Sequence, residues 1–249
     1  MDWNLEPEKK PFGSPMIPAK KQLIVFLTGW LGFQVIATLV QVFLVNSFSI
    51  ATDIIPELVV RQALVKMLIN TLAYFILLIL LLLIAYTDIA KQLKSFKQWQ
   101  SYLAGVVCLL SIYAFNFIYG NLINLIPMPV TDNVNETAVV SLQSLYPVLS
   151  LIIFGFVAPI CEELTYRTGL FSLLKRRSRA LAYGVTIVVF ALIHSNFTIT
   201  NFFNELLNLP YYAYAAFAFC FTYEHYGFAG SVTAHILNNV ISCVLTIIR

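Results

Sequence analysis

The sequence predicts an all-α, polytopic transmembrane helix bundle of about seven to eight spans, and three observations point to it. Of the 249 residues, 59% are hydrophobic and only 11% charged, where an ordinary soluble domain carries roughly 25% charged residues. Mean hydropathy is +0.82. Apolar runs such as Leu72 to Tyr86 require an apolar solvent, and a bilayer supplies one that a helix of about 20 residues can cross. A soluble enzyme is excluded, and little chain is left for an extramembrane domain. Any chemistry must therefore sit among the helices. Cys108, Cys161, Cys220 and Cys243 lie in apolar stretches without paired spacing, so neither a disulfide framework nor a zinc ribbon is expected.

The elements follow in order. Residues 1–22 are polar and contain Pro7, Pro11, Pro15 and Pro18, a composition that reads as a disordered cytoplasmic tail. Residues 23–249 read as one transmembrane helical domain with its catalytic core at about 145–249. The first span runs from about Leu23 to Phe48, too long for the apolar region of a signal peptide. The second and third cover about Leu64 to Tyr86 and Tyr102 to Ile126, with Lys91, Lys94 and Lys97 between them. The fourth begins near Leu145 and ends at Leu174, before Lys175, Arg176, Arg177 and Arg179. The remaining three are placed at about Ala180 to Asn196, Pro210 to Tyr226 and Phe228 to Ile248. Eleven of the fifteen Lys and Arg residues fall in the N-terminal tail, the linker after span two and the cluster after span four. These are alternate loops, so the positive-inside rule puts the N-terminus in the cytoplasm and the linkers around Asp53, Asp132 and Glu205 outside. Asn135-Glu136-Thr137 matches a glycosylation acceptor there, a pattern common by chance.

Ionisable residues at bilayer depth are costly unless they pair or line a wet cavity, so the few inside apolar runs carry the information. Span four contains Cys161-Glu162-Glu163-Leu-Thr-Tyr166-Arg167. Glu163 and Arg167, four residues apart in the favourable acid-before-base order, are placed to pair. Glu162 points elsewhere and is left as a candidate general base. Pro159, just upstream, removes a backbone hydrogen bond and opens the helix locally. Two of only three histidines also lie in apolar helices: Phe190-Ala-Leu-Ile-His194 in span five and His235-Ile-Leu-Asn238-Asn239 in span seven. Histidine and carboxylate in one cavity are suited to activating water. His235 and Asn239 share a helical face, so both could donate to one oxyanion. A purely structural ion cluster is the competing reading. Glu162 lies thirteen residues before Lys175 and His194 fifteen after Arg179, which sets both roughly 20 Å from the cytoplasmic boundary. The same arithmetic leaves His235 shallower. His225, beside Glu224, reads as interfacial.

These three motifs, in this order, resemble the CPBP intramembrane proteases, also called the CAAX protease and bacteriocin-processing or Abi family. Glu162-Glu163-x-x-x-Arg167 is similar to its EExxxR motif, Phe190-x-x-x-His194 to FxxxH, and His235-x-x-x-Asn239 to HxxxN. The resemblance covers about Phe154 to Val244. It implies intramembrane hydrolysis of a membrane-bound or hydrophobic peptide, as in CAAX prenyl endopeptidases. Glu162 and His194 would activate water, His235 and Asn239 would stabilise the oxyanion, and Glu163 and Arg167 would support them. Family members are often labelled metalloproteases, and a zinc ion, if used, would take Glu162, His194 and His235. No HExxH motif is present, and a metal-independent glutamate mechanism with no cofactor is preferred. The alternative function is a non-proteolytic membrane regulator or bacteriocin-immunity protein of the same fold acting by contact. Expected partners are membrane lipid and a peptide or membrane-protein substrate, with no nucleic acid. The expected location is a bacterial plasma membrane, and the sequence leaves the oligomeric state open.

Overall fold

An apolar solvent leaves every backbone group to be satisfied within the chain, and the described residues of this protein accordingly form helices without a single strand. The computed structural model describes residues 17–48, 58–127 and 129–248. Most of the proline-rich tail and the linker around Asp53 lie outside the described residues. The first helical stretch begins at Ala19, inside the segment read as tail. It consists of α1 (Ala19–Leu27), a π-helical turn (Thr28–Gly32) and α2 (Phe33–Phe48). Helix α3 (Leu58–Gln92) leads through a 3₁₀ turn (Leu93–Lys97) to α4 (Trp99–Ile123). Along α2, α3 and α4 large apolar side chains face outward, among them Leu39, Leu83 and Phe117, exposed by 64%, 67% and 74%. Such faces are stable against lipid and costly against water.

A helix absent from the sequence reading follows. Helix α5 (Val134–Leu145) is capped by Asn133, whose side chain accepts from the Glu136 backbone N–H at 2.7 Å. The glycosylation-like tripeptide is thus the first turn of a helix. Span four is then wound in alternation: α6 (Pro147–Ser150), a π segment (Leu151–Val157), α7 (Ala158–Glu162), a second π segment (Glu163–Phe171) and α8 (Ser172–Lys175). Pro159 sits just after the first π segment, where the widened turn accommodates its missing donor.

Helix α9 (Arg179–Ile193) is fifteen residues long. Helix α10 (Phe202–Ile247) runs for 46 residues but contains Gly227 at φ 77°, ψ −173°, a conformation that breaks the helix and is essentially restricted to glycine. Five helical stretches are long and apolar enough to cross a membrane: Ala19–Leu44, Gln62–Tyr86, Trp99–Ile123, Pro147–Lys175 and Phe202–Ile247. The count of seven to eight is therefore not reproduced by length and apolarity alone. Two facts account for the difference: Arg179–Ile193 is short, and the last two expected spans run together across Gly227.

The break at Gly227 is held by side chains. Ser101 donates to the Tyr226 carbonyl at 2.8 Å, and the Ala229 N–H donates to the Ser95 hydroxyl at 3.1 Å. Residues 227–232 are all buried, so the last helical segment restarts inside the bundle rather than at its surface. The shallower position inferred for His235 does not keep it from span four, since its Nε2 lies 3.7 Å from the Glu162 carboxylate. The first helical stretch crosses span four closely: a Cβ on Gly29 would stand 1.9 Å from the Thr165 hydroxyl, and one on Gly169 2.9 Å from the Phe26 backbone nitrogen.

Candidate active site

The three motifs converge in one cavity of about 430 Å³ lined by Glu162, His194, His235 and Asn239. Glu162 reaches it from the end of α7, His194 from the C-cap of α9 and His235 from the buried part of α10 beyond Gly227. The Glu162 Oε2 atom lies 3.8 Å from His194 Nε2 and 3.7 Å from His235 Nε2. The outer rings are oriented by fixed acceptors. His194 Nδ1 is 2.8 Å from the Phe190 carbonyl oxygen, and His235 Nδ1 is 2.8 Å from Glu163 Oε1. A carbonyl or carboxylate oxygen only accepts, so each Nδ1 carries a hydrogen. In the neutral rings each Nε2 therefore presents a lone pair to the cavity.

Glu162 Oε2 is buried and, among the described residues, has no hydrogen-bond partner of good geometry. It and two imidazole lone pairs form a group of three acceptors around one small space. A molecule with O–H donors and its own lone pairs, such as water, satisfies that arrangement. The same three donors are chemically the two-histidine, one-carboxylate set of a catalytic zinc. As placed, however, no three His, Cys, Asp or Glu side chains among the described residues come together as a metal site. If a zinc ion binds, Glu162, His194 and His235 are the residues that would hold it and it would polarise a bound water; no chemical step below is routed through a metal.

Behind this layer, Glu163 and Arg167 are both completely buried, with Arg167 Nη1 3.1 Å from Glu163 Oε1. The guanidinium stands over the rings of Phe190 and Phe219, at 4.5 and 5.1 Å. Phe219 also stacks on His235 at 4.5 Å. Glu163 thus joins an arginine to the imidazole that faces the cavity. Asn239 lies in the cavity wall as expected, but one of its amide hydrogens goes to the Phe154 carbonyl at 2.9 Å, and its oxygen accepts from Asn238 at 3.2 Å. One amide hydrogen of Asn239 is left for a ligand. His225 stays apart from the site, bonded to the Phe221 carbonyl.

Several site residues were not found from the sequence. Tyr74 of α3 lines the cavity next to the Glu162 carboxylate. Tyr212 of α10 stacks on His194, with centroids 4.9 Å apart, and donates to Asn133 at 3.2 Å. Asn133 in turn donates to the His194 carbonyl at 2.9 Å. Glu205, placed outside by the sequence reading, is fully buried. Its two oxygens accept from the backbone N–H groups of Val134 and Asn196, at 2.9 and 3.0 Å. These bonds tie the irregular chain after His194 to α5 and α10, satisfying backbone groups that lipid could not. The capping signal Asn-x-x-Glu at 133–136 was visible. Nothing local marks Tyr74, Tyr212 or Glu205, because each owes its position to a contact distant in sequence.

The fold and site define a polytopic helical membrane protein with a buried carboxylate–histidine centre. Comparison with known proteins agrees with that class. Residues 144–241 match the family model described as type II CAAX prenyl endopeptidase Rce1-like, and all three motifs lie inside that range. The part of the chain that builds the site is thus similar to the type II CAAX prenyl endopeptidases. The chain is also 25% identical over 232 residues to an uncharacterised protein of Mycoplasma capricolum subsp. capricolum, covering 87% of this chain and 63% of that relative. No solved structure matches.

Proposed function

We propose that the protein is an intramembrane endopeptidase that hydrolyses a membrane-bound or hydrophobic peptide. The observation that carries this reading is the convergence of Glu162 Oε2 with two imidazole Nε2 atoms at 3.7 and 3.8 Å, each ring pinned by its other nitrogen. In the proposed reaction Glu162 takes a proton from a water molecule, while His194 Nε2 accepts that water's second hydrogen and aligns it. The water oxygen bonds to the scissile carbonyl carbon. For this step His235 is taken in its doubly protonated form rather than as the neutral ring, with its Nδ1–H held by Glu163, so that His235 Nε2–H and the remaining Asn239 amide hydrogen donate to the developing oxyanion. The C–N bond then breaks, and the proton held by Glu162 passes to the leaving nitrogen. Arg167 holds Glu163 in place and touches no reacting atom.

The same reading places residues 23–249 as one membrane domain crossing seven times, with α9 and the two parts of α10 as the last three crossings. The cations support cytoplasmic placement of one end. Arg176 bonds Gln22 and the Ile17 carbonyl, both at 2.8 Å, which brings the N-terminal segment beside the 175–179 cluster. A bacterial plasma membrane is the proposed location.

The test is cleavage of a quenched hydrophobic peptide library by purified protein, comparing wild type with Glu162→Gln, each with and without a zinc chelator. The variant preserves shape and removes the base, so a loss of at least about 10²-fold is expected, with chelator leaving wild type unaffected. Chelator-sensitive cleavage would require a metal and refute the glutamate-only route. A cellular function untouched by Glu162→Gln would instead establish the alternative, a regulator or immunity protein acting by contact.

A further inference from the structure

A second cavity, of about 850 Å³, adjoins the first. The two share Glu136, Tyr212, Ala215, Asn238 and Ser242 in their linings. Its far wall is built from Asn124 at the end of α4, Thr131 and Asp132 before α5, and Thr246 at the end of α10. All of these lie at the end of the bundle opposite Lys94, Lys175 and Arg179, because α4 and the last part of α10 both run away from that end. Thr131 and Asp132 are exposed, so the cavity opens there. Its walls are unusually polar for membrane depth, with Asn116, Asn124, Asn133, Asn208 and Asn238 among them. Among the described residues neither cavity is lined by any lysine or arginine, whereas the second carries Asp132 and Glu136.

Glu136 stands at the junction. It is half-buried, and Tyr212, beside it, stacks on His194. Burial, together with the nearby Asp132 charge, holds its carboxyl above the ordinary carboxylate range. Both influences disfavour its ionised form, and a bound cation would oppose them. The glutamate performs no step of the reaction described above.

We propose that the second cavity admits the polar stretch of a peptide substrate from the cation-poor end, and that Glu136 selects a lysine or arginine side chain next to the scissile bond. This rests on the peptidase reading and deepens it. A half-buried carboxylate with no lysine or arginine among the described residues lining either cavity is a specificity element for an ammonium or guanidinium group. An acidic residue in the same place would meet two like charges and be rejected.

The experiment uses matched peptides in which one position near the scissile bond carries either lysine or glutamine or glutamate, moved through the flanking positions. Each peptide is given to wild type, Glu136→Gln and Glu136→Lys. Wild type is expected to prefer lysine over glutamate at one flank, and Glu136→Gln to reduce that kcat/KM ratio by about tenfold. Glu136→Lys should invert it. A ratio identical in all three proteins, with cleavage still abolished by Glu162→Gln, would overturn the proposal and leave the peptidase reading intact. If wild type cleaves nothing, the peptidase reading fails, and the cation subsite is judged by binding. Fluorescent lysine and glutamate peptides would then be titrated onto Glu162→Gln and onto Glu162→Gln with Glu136→Gln. Equal affinities for the two peptides in the first protein would reject the subsite.

Discussion

Glu163 Oε1 serves two partners at once, Arg167 at 3.1 Å and His235 at 2.8 Å, and none of the three is open to solvent beyond 5%. Three guanidinium nitrogens of Arg167 make no geometrically good hydrogen bond, so the cation is held by the ion pair and by the two phenylalanine faces. Removing one partner of such a pair leaves the other charge buried, at a cost of about 3–5 kcal/mol. Arg167→Leu is accordingly expected to lower the apparent melting temperature strongly and to abolish cleavage. Arg167→Leu combined with Glu163→Gln removes both charges and should recover much of the stability. It should not recover cleavage, because His235 loses the carboxylate that accepts from its Nδ1–H and fixes the ring. Thermal melts in detergent beside peptide cleavage check this, and a double variant as active as wild type would show that Glu163 is dispensable. At this scale the sequence was informative. The i, i+4 spacing gave the Glu163–Arg167 pair and left Glu162 for the cavity. The spacing of His235 and Asn239 could not reveal that Asn239 spends one hydrogen on the Phe154 carbonyl, a contact 85 positions away.

Among the elements, the break at Gly227 sets where the helix that carries His235 begins. The side chain of His235 reaches Glu162 because the helix restarts within the bundle, with its freed backbone groups answered by Ser95 and Ser101. A residue with a Cβ at φ 77° and ψ −173° is strained by about 1–3 kcal/mol. Gly227→Ala should therefore destabilise the protein by that amount and reduce cleavage by retracting His235. The measurements are a melt and the rate on the best peptide. An unchanged rate in a destabilised protein would mean that the break serves folding alone. The strict glycine requirement was not legible, since Tyr226-Gly227-Phe228 reads equally well as an ordinary loop between two spans. The π segments were hidden for a related reason. Their extra residue per turn answers crowding by neighbouring helices, such as the close approach of Gly29 to Thr165, and periodicity in one strand of sequence does not record its neighbours. Helix α5 is legible in its Asn133 cap, but its twelve residues are too few to read as a membrane span.

For the whole molecule, the fold class followed from composition, while the number of crossings depends on two elements that length alone leaves ambiguous. A straight helix of 46 residues would extend about 69 Å, more than twice the hydrocarbon thickness, so α10 must either project from the membrane or turn back at Gly227. Helix α9, at fifteen residues, covers about 22 Å and ends at His194, where Asn133 and Glu205 satisfy the chain beyond it. The seven-crossing arrangement puts Thr131, Ile199 and Ile248 on one side of the membrane and Lys94 and Arg177 on the other. All four natural cysteines are buried, so single cysteines introduced at these five exposed positions can be read against a low background. In intact bacterial cells, an impermeant maleimide is expected to label Thr131→Cys, Ile199→Cys and Ile248→Cys, and to reach Lys94→Cys and Arg177→Cys only after permeabilisation. Ile199 labelling with Arg177 would mean that α9 does not cross. Ile248 labelling with Arg177 would mean that α10 does not return. Reversal of the whole pattern would put the N-terminus outside and make the second cavity open to the cytoplasm, so the same labels decide from which compartment a polar substrate segment can enter.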